Sequence, residues 1–401
     1  MERIIFHIDV NNAFLSWSAI DLLNKGYKYD IRNSYAVIGG DEKMRSGIVL
    51  AKSTPAKKLG IVTAETLYSA RKKCKVLKVY PPNFKFYNEM SNKFFSLLRK
   101  YTPDIEIASI DECYLDYGKV KSLYGDEVVF AYKIKDEIKN TLGFTVNIGI
   151  ANNKLCAKMA SDFSKPDKVH TLYENEVKEK MYPLDVGDLF GIGKRTVPKL
   201  NSLGIYKISD LALADPVMLE KYFKNQAYVM IKSANGIDDS IVDSNEYHPS
   251  CIGNEITLPH NISSKREAYD KLLILSEYVS KRLRKEEKYA SVVCVTIKDE
   301  FLKRRSHQKK LLNETNIEKE IYKTACMIFD EFWNGENIRL IGIRLDGLTL
   351  SKKYQGSIFE NVEKREHDEK IDKLIDNINF KFGKNTIKKA GIDNLNSKKE
   401  V

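Results

Sequence analysis

Between residues 105 and 116, apolar and polar residues alternate along the chain, which reads I-E-I-A-S-I-D-E-C-Y-L-D. A period of two predicts β-strands, and the break at Ser109 predicts a β-hairpin with Asp111 and Glu112 at its bend. In one unbroken strand these two carboxylates would point to opposite faces, because side chains alternate. A bend lets them converge, and converging carboxylates are ligands that Mg²⁺ prefers.

A third carboxylate, Asp9, ends the apolar strand predicted over residues 3–8. Acids at the ends of separate hydrophobic strands fit a two-metal phosphoryl-transfer site on a central sheet. The same pattern also fits solvated acidic turn residues. At this point both interpretations stay open.

Helical spacing of apolar residues predicts two amphipathic helices, over residues 83–101 and 125–142, that pack against the sheet. A return strand follows at 144–150, and two shorter strands are predicted at 34–40 and 48–52. The first half of the chain therefore mixes strands and helices in an α+β arrangement.

After a linker rich in Gly, Asp, Ser and Asn, the second half of the chain predicts a βαββαβ order. Its elements are a strand from residue 250, a helix over 265–283, strands over 290–298 and 301–308, a helix over 317–333 and a strand over 338–345. Residues 368–390 predict a further helical element in the tail.

The chain has 401 residues and a net charge of +11, which favours a polyanionic partner, with nucleic acid first and an acidic membrane surface second. Neither a signal peptide nor an apolar run of membrane-spanning length is present, so we expect a cytoplasmic protein without a membrane partner. The six cysteines are scattered without a C-x-x-C pair, which predicts reduced thiols rather than a zinc site.

Phe14 stands five residues after Asp9, and S-I-D-E occupies residues 109–112. Together these motifs resemble the Y-family translesion DNA polymerases, DinB/UmuC-like in type. Without the resemblance, a core residue is the favoured interpretation of Phe14. The resemblance implies that Phe14 is the steric gate against a 2′-hydroxyl. The chain departs from the family pattern at Asn11, where a second Asp is usual.

The resemblance also implies a metal site. Asp9, Asp111 and Glu112 would bind two Mg²⁺ ions, for which Mn²⁺ can substitute, and Val10 would add its backbone carbonyl. Catalysis would be carried by the same three carboxylates.

Two further motifs imply contacts to the incoming triphosphate. Residues 52–60 align with the family's Y-E-A-R-K-x-G, with Thr54 and Lys57 in place of Tyr and Arg; lysine keeps the charge but loses the bidentate fork. Residues 151–166 resemble N-K-x-x-A-K-x-A-S-D-x-x-K-P, which implies that Lys165 contacts the triphosphate and offsets charge on the leaving pyrophosphate.

The DNA contacts are implied by the later segments. G-I-G at 191–193 resembles a helix-hairpin-helix, in which Gly191 and Gly193 would offer backbone N–H groups to a phosphate beside Lys194 and Arg195. A plain helical turn is the alternative. The basic run Lys303, Arg304 and Arg305 would meet phosphates. In the tail, Gln355, Ile358 and Phe359 resemble a sliding-clamp-binding peptide.

The resemblance thus implies a right-hand polymerase of the α+β class. The predicted parts are a palm (1–12 and 78–168), fingers (13–77), a helix-hairpin-helix thumb (169–236), a linker (237–248), a βαββαβ little finger (249–350) and a tail (351–401). The implied function is template-directed, low-fidelity translesion synthesis from dNTPs on primer-template DNA by a monomer.

Two alternatives remain at this stage. A non-catalytic protein that binds damaged DNA would need the basic thumb and little finger but not the carboxylates. A nucleotide cyclase is suggested by G-G-D-E at residues 39–42, although it would leave the second half of the chain without a role.

Overall fold

The computed structural model describes residues 3–41, 47–245, 248–350, 362–383 and 386–387. The chain divides into two compact units, the first formed by residues 1–40 and 47–246 and the second centred on residues 247–401. Gln355, Ile358 and Phe359, the predicted clamp-binding residues, lie outside the described residues.

The first unit contains eight strands within the described ranges. They are β1 (Ile5–Val10), β2 (Ala36–Gly39), β3 (Val49–Lys52), β4 (Lys78–Tyr80), β5 (Ile105–Ile107), β6 (Glu112–Asp116), β7 (Val146–Ala151) and β8 (Val169–Thr171). Its helices in the same ranges are α1 (Ala13–Asn24), α2 (Thr54–Lys58), α3 (Leu67–Lys73), α4 (Phe84–Leu98), α5 (Lys121–Tyr124), α6 (Glu127–Leu142), α7 (Lys154–Asp162), α8 (Val197–Asn201), α9 (Ile208–Ala212), α10 (Pro216–Phe223) and α11 (Gln226–Ala234).

The central sheet has the order β5-β6-β1-β7-β8 and carries helices on both faces. The antiparallel pair β5 and β6 is the predicted hairpin, which is confirmed. On one face α4 and α6 cover Phe6, Ile8 and Ile148. On the other face α7 lies so close that a Cβ on Gly149 would stand 2.0 Å from the Ala157 carbonyl oxygen. Only glycine at this position lets α7 pack directly on β7.

A separate three-stranded sheet, with the order β3-β2-β4, forms a small core with α2 and α3. The two predicted strands at 34–40 and 48–52 correspond to β2 and β3. Strand β4 pairs parallel to β2, so this sheet reaches Tyr80, just past the predicted fingers boundary at residue 77.

The helical region from 174 to 234 packs around an apolar cluster that it shares with α7 and the central sheet, and to which it contributes Leu189, Leu200 and Ile205. Within it a one-turn 3-10 helix, Val186–Asp188, is followed by a tight turn and then by α8. Gly191 has φ +93°, a conformation that residues with a side chain rarely adopt. The predicted G-I-G turn between two helical segments is therefore present.

In the second unit, within the described ranges, the elements are β9 (Ile252–Ile262), α12 (Lys265–Lys285), β10 (Tyr289–Asp299), β11 (Arg304–Thr315), α13 (Glu318–Phe332), β12 (Ile338–Thr349) and α14 (Val362–Phe382). The βαββαβ order is confirmed, and the antiparallel sheet has the order β11-β10-β12-β9. The prediction of a strand over 301–308 was wrong in its bounds. The first residues of the predicted strand form a turn, in which the Lys303 N–H donates to Asp299 Oδ1 at 2.9 Å. Pairing of β11 with β10 therefore begins at Arg304.

Helix α14 begins six residues before the predicted start at 368 and packs on α12 and α13 through charged groups. The buried guanidinium of Arg284 contacts Asp372 at 3.3 Å and Asp376 at 2.6 Å. Asp372 also accepts the Glu318 N–H at 2.9 Å, at the first turn of α13. Because Ile317 at the N-cap of α13 has no side-chain acceptor, α14 supplies that helix with its cap.

Among the helices described, none combines the length and the apolar content that a membrane crossing requires.

Candidate active site

The central sheet brings the three predicted carboxylates to one end of its strands. Asp9 on β1 is the direct cross-strand partner of Glu112 on β6. The next residue, Val10, donates its N–H to the Asp111 carbonyl at 3.0 Å. Ser109 Oγ donates to Asp111 Oδ1 at 2.7 Å, which fixes the carboxylate at the bend of the hairpin. The predicted residues are therefore adjacent.

The environments of Asp111 and Glu112 push their pKa values in opposite directions. Burial raises the pKa of Asp111, and the charges of Asp9 and Glu112 add to the rise against the Ser109 hydrogen bond. For Glu112 the interaction with His7 is the largest influence; burial opposes it, and the ammonium of Lys158 supports it, so the pKa falls to about 2. The mutual repulsion shows that the three carboxylates share one electrostatic environment.

Two lysines balance this negative charge. Lys158 Nζ lies 2.8 Å from Glu112 Oε2 and 3.6 Å from Asp9 Oδ2. Lys165 Nζ lies 2.8 Å from Asp9 Oδ1 and 2.8 Å from Asp162 Oδ1. Burial lowers the pKa of both lysines, but the carboxylates outweigh it and the net shift is upward. Both ammonium groups are therefore charged at neutral pH.

Sequence reasoning identified Lys165 but missed Lys158. Both lie in the 151–166 motif, but Lys158 meets the carboxylates only because α7 crosses the face of β1 and β7 behind them. That crossing is a tertiary contact that the motif alone does not give.

His7 was also missed, although it stands two residues before Asp9 and a strand period of two places both side chains on one face. It is fully buried, and its Nδ1 shares a 2.8 Å hydrogen bond with Ser161 Oγ on α7. Its Nε2 lies 3.4 Å from Glu112 Oε2. Burial holds the pKa of His7 below its ordinary value. The imidazole thus connects α7 to the carboxylate of Glu112.

The loop that carries Lys165 is held by Asn147, the β7 partner of Asp9 in the sheet. Its buried amide donates to the Ser161 carbonyl at 3.0 Å and to the Ser164 carbonyl at 2.6 Å. Its Oδ1 accepts the Lys168 N–H at 3.2 Å. One side chain thereby fixes the segment on both sides of Lys165.

The donor set fits hard divalent cations, which take carboxylate and carbonyl oxygens. In the predicted site, Asp9, Asp111 and Glu112 would provide carboxylates and Val10 would provide a carbonyl. Across the described part of the chain, no group of three or more acidic, histidine or cysteine side chains has the geometry to hold a metal ion. Lys158 and Lys165 contact the carboxylate oxygens that a metal ion would use. The two ammonium groups therefore neutralise part of the negative charge of Asp9 and Glu112.

Asn11, where the family usually has Asp, lies beside the connection between α6 and β7. Its N–H donates to the Thr145 carbonyl at 2.9 Å, and its amide donates to Thr145 Oγ1 at 3.2 Å. Asn11 is 5% exposed. It therefore anchors the start of α1 instead of joining the carboxylates.

Thr54 and Lys57 lie one turn apart on the exposed side of α2, whose N-terminus is capped by the Ser53 hydroxyl. Burial lowers the pKa of the neighbouring Lys52, and the positive charge of Lys57 lowers it further. The charge of Glu65 acts on the pKa of Lys52 in the opposite direction. Lys52 is a third residue, after Lys158 and His7, that sequence reasoning did not single out.

The predicted DNA-contacting residues differ in their surroundings. Gly191, Gly193, Lys194 and Arg195 are all exposed on the turn before α8. In the second unit Lys303 lies in the turn before β11, Arg304 contacts Glu255, and Arg305 contacts Glu336. The two arginines thus have acidic partners, which sequence spacing could not reveal.

Three family models match the chain. The impB/mucB/samB family matches residues 8–162, and its C-terminal domain matches residues 249–358. The IMS family HHH motif matches residues 174–205, which include the G-I-G turn.

Characterised relatives match over nearly the whole chain. A DNA polymerase IV of Clostridium acetobutylicum is 46% identical over 97% of this chain and 98% of its own length. DNA polymerase IV 1 of Bacillus subtilis is 33% identical over 97% of this chain and 93% of its own.

Solved structures match in fold as well. A Y-family DNA polymerase chimera of Dbh and Dpo4 aligns with a TM-score of 0.75 at 26% identity, covering 87% of this chain and 100% of its own. An insertion ternary complex of Dbh DNA polymerase aligns with a TM-score of 0.61 at 26% identity and the same coverage of both chains. These neighbours agree with the right-hand architecture expected from the motifs.

Proposed function

This chain belongs to the Y family of DNA polymerases and is a translesion DNA polymerase, and on that premise we propose which residues carry out its reaction. The reaction is template-directed, low-fidelity transfer of a nucleotide from a dNTP to a primer 3′-hydroxyl. The observation that carries the proposal is the cross-strand pair of Asp9 and Glu112, which lies beside Asp111. Lys165 contacts Asp9 of this pair. The comparisons do not favour the non-catalytic protein or the cyclase, since the relatives are polymerases along nearly the whole chain.

Y-family DNA polymerases are metal-dependent nucleotidyltransferases. We infer that Asp9, Asp111, Glu112 and the Val10 carbonyl hold two Mg²⁺ ions, for which Mn²⁺ can substitute. Bound there, the ions would activate the primer 3′-hydroxyl and neutralise the triphosphate. The hard oxygen donors support this assignment, as does the cross-strand pairing of Asp9 with Glu112.

The lysines complete the charge balance during the reaction. Attack of the 3′-hydroxyl oxygen on the α-phosphate forms the new ester bond, breaks the bond to the β-phosphate and releases pyrophosphate. Lys165 exchanges its carboxylate partners for phosphate oxygens and stabilises the charge on the leaving pyrophosphate. Thr54 and Lys57, which are both exposed on α2, contact the same triphosphate.

Phe14 is the sugar gate in this proposal. It is half-buried at the start of α1, five residues after the carboxylate of Asp9. An aromatic ring at this place excludes a 2′-hydroxyl by contact and leaves a deoxyribose in position.

Duplex DNA would be held by the turn Gly191–Gly193 with Lys194 and Arg195 in the thumb, and by Lys303, Arg304 and Arg305 in the little finger.

The palm, fingers, thumb, linker and little-finger bounds given above remain our proposed division. We also propose a monomeric, cytoplasmic enzyme; the six free thiols support a reducing compartment. Gln355, Ile358 and Phe359 are proposed to bind a sliding clamp, and a clamp pull-down with Phe359→Ala tests this assignment.

Primer extension on a primed template tests the proposed chemistry. We expect extension from dNTPs with Mg²⁺ or Mn²⁺ and none with a chelator. Conversion of GTP to a cyclic product without DNA, and no extension, would instead support the cyclase interpretation.

A further inference from the structure

The proposed sugar gate belongs to an aromatic cluster between α1 and α4. The ring of Phe14 stacks on that of Tyr87, with centroids 4.8 Å apart and planes 15° apart. Phe84 meets Phe14 edge-on, with centroids at 6.0 Å and planes at 84°. One face of the gate ring is therefore covered by Tyr87, and Phe14 as a whole stays only half-buried.

Tyr87 is itself fixed in place. It is completely buried, and its hydroxyl shares a 2.6 Å hydrogen bond with Ser18 Oγ. Ser18 lies four residues after Phe14 on α1, so both side chains face α4. Tyr87 thus contacts α1 twice, through its ring at Phe14 and through its hydroxyl at Ser18.

A second polar contact holds the two helices further along the same face. The Asn83 amide donates to Asp21 Oδ2 at 3.0 Å, while Asn83 Oδ1 accepts the Phe86 N–H and caps α4. Phe14, Ser18 and Asp21 follow helical spacing. The helix that carries the gate therefore cannot rotate or slide freely on α4.

Given the proposed function, we propose that Tyr87 is a positioning residue that determines sugar specificity without touching the nucleotide. An aromatic wall excludes a 2′-hydroxyl only if the ring cannot move away from it. Because the fully buried ring of Tyr87 stacks on one face of Phe14, Phe14 cannot tilt toward α4. An aliphatic side chain at position 87 would open a gap into which Phe14 tilts.

The test is the ratio of kcat/KM for a dNTP to that for the matching rNTP, in single-nucleotide extension opposite an undamaged base. In Tyr87→Leu we expect this ratio to fall about tenfold, since discrimination against one small group in an apolar pocket has about that size. The ratio cancels any loss of activity common to both nucleotides. Tyr87→Phe keeps the ring and loses only the Ser18 hydrogen bond, so it folds as wild type and shows a smaller fall.

Phe94→Leu is the matched control. Phe94 is a buried aromatic residue of the same helix, and its ring packs against those of Phe95 and Phe144. Its replacement should leave the dNTP preference unchanged. In a Phe14→Ala background, Tyr87→Leu should cause no further loss of preference, because Tyr87 acts through the Phe14 ring.

The outcomes separate the inference from its premise. Loss of preference in Phe14→Ala with full preference in Tyr87→Leu overturns the role of Tyr87 and leaves the gate intact. Unchanged preference in Phe14→Ala overturns the gate assignment itself. An equal fall in Phe94→Leu, or an additional fall in the double variant, also contradicts a specific action of Tyr87 through Phe14.

Discussion

The ammonium of Lys158 lies 2.8 Å from Glu112 Oε2 and 3.6 Å from Asp9 Oδ2, and therefore serves two of the three carboxylates at once. Lys158 is 13% exposed, so solvent screens this interaction only weakly. A cation in this position satisfies the carboxylates and at the same time repels a metal ion that would bind them.

Removal of this charge should increase the affinity for Mg²⁺. In Lys158→Met we expect the half-saturating Mg²⁺ concentration for primer extension to fall about tenfold, since a nearby unit charge contributes at least ~1 kcal/mol. Lys154→Met removes the same charge from the same helix, where the lysine binds Glu106, and should leave the Mg²⁺ dependence unchanged. A higher Mg²⁺ requirement in Lys158→Met would mean that the lysine mainly holds Glu112 in position.

Lys165 should contribute mainly to nucleotide binding. Its charge-assisted hydrogen bonds are worth about 1.5–3 kcal/mol, so Lys165→Ala should raise the KM for dNTP by roughly 10- to 100-fold. Steady-state kinetics with each dNTP measure this change. Lys139→Ala, which removes a lysine bound to Asp167, is the control. An unchanged KM in Lys165→Ala would show that the lysine stays on Asp9 and Asp162 during the reaction.

The turn at 191–195 should contact phosphate without reading sequence. In Lys194→Ala we expect DNA affinity to fall on every template, and the slope of log affinity against log salt to become shallower by about 1. Fluorescence anisotropy over a salt series measures both. Lys207→Ala, whose lysine binds Asp185, should leave the slope unchanged. A template-dependent loss in Lys194→Ala would argue against a backbone contact.

Helix α14 should stabilise the second unit. Asp372→Ala leaves the buried Arg284 without one partner and α13 without its cap, so the free energy of unfolding should fall by about 3 kcal/mol. Asp368→Ala removes an exposed contact to Lys319 from the same helix and should cost less than about 1 kcal/mol. Chemical denaturation measures both variants. Equal, small losses would show that α14 adds little to the fold.

Local patterns were enough to predict much of this fold. The period-two alternation through 105–116 is a property of adjacent residues, and it predicted the hairpin in which Asp111 lies at the bend and Glu112 begins β6. The βαββαβ order followed from helical and strand spacing in the same way.

What the sequence could not give depends on contacts between distant segments. His7 and Lys158 matter because α7 lies on β1 and β7, at a distance that Gly149 permits. The role of Tyr87 depends on the packing of α4 against α1, which helical spacing within either segment does not indicate. The docking of α14 depends on Arg284 and Asp372, which lie far apart in sequence and whose pairing no local pattern indicates.

The most direct test of the central claim is primer extension by Asp111→Asn beside wild type and Asp104→Asn. Asp104 enters the same hairpin but binds Lys119, away from the carboxylates. We expect wild type and Asp104→Asn to extend the primer, and Asp111→Asn to bind primer-template DNA normally with extension lost. Extension by Asp111→Asn at the wild-type rate would contradict the assignment of this carboxylate to the active site.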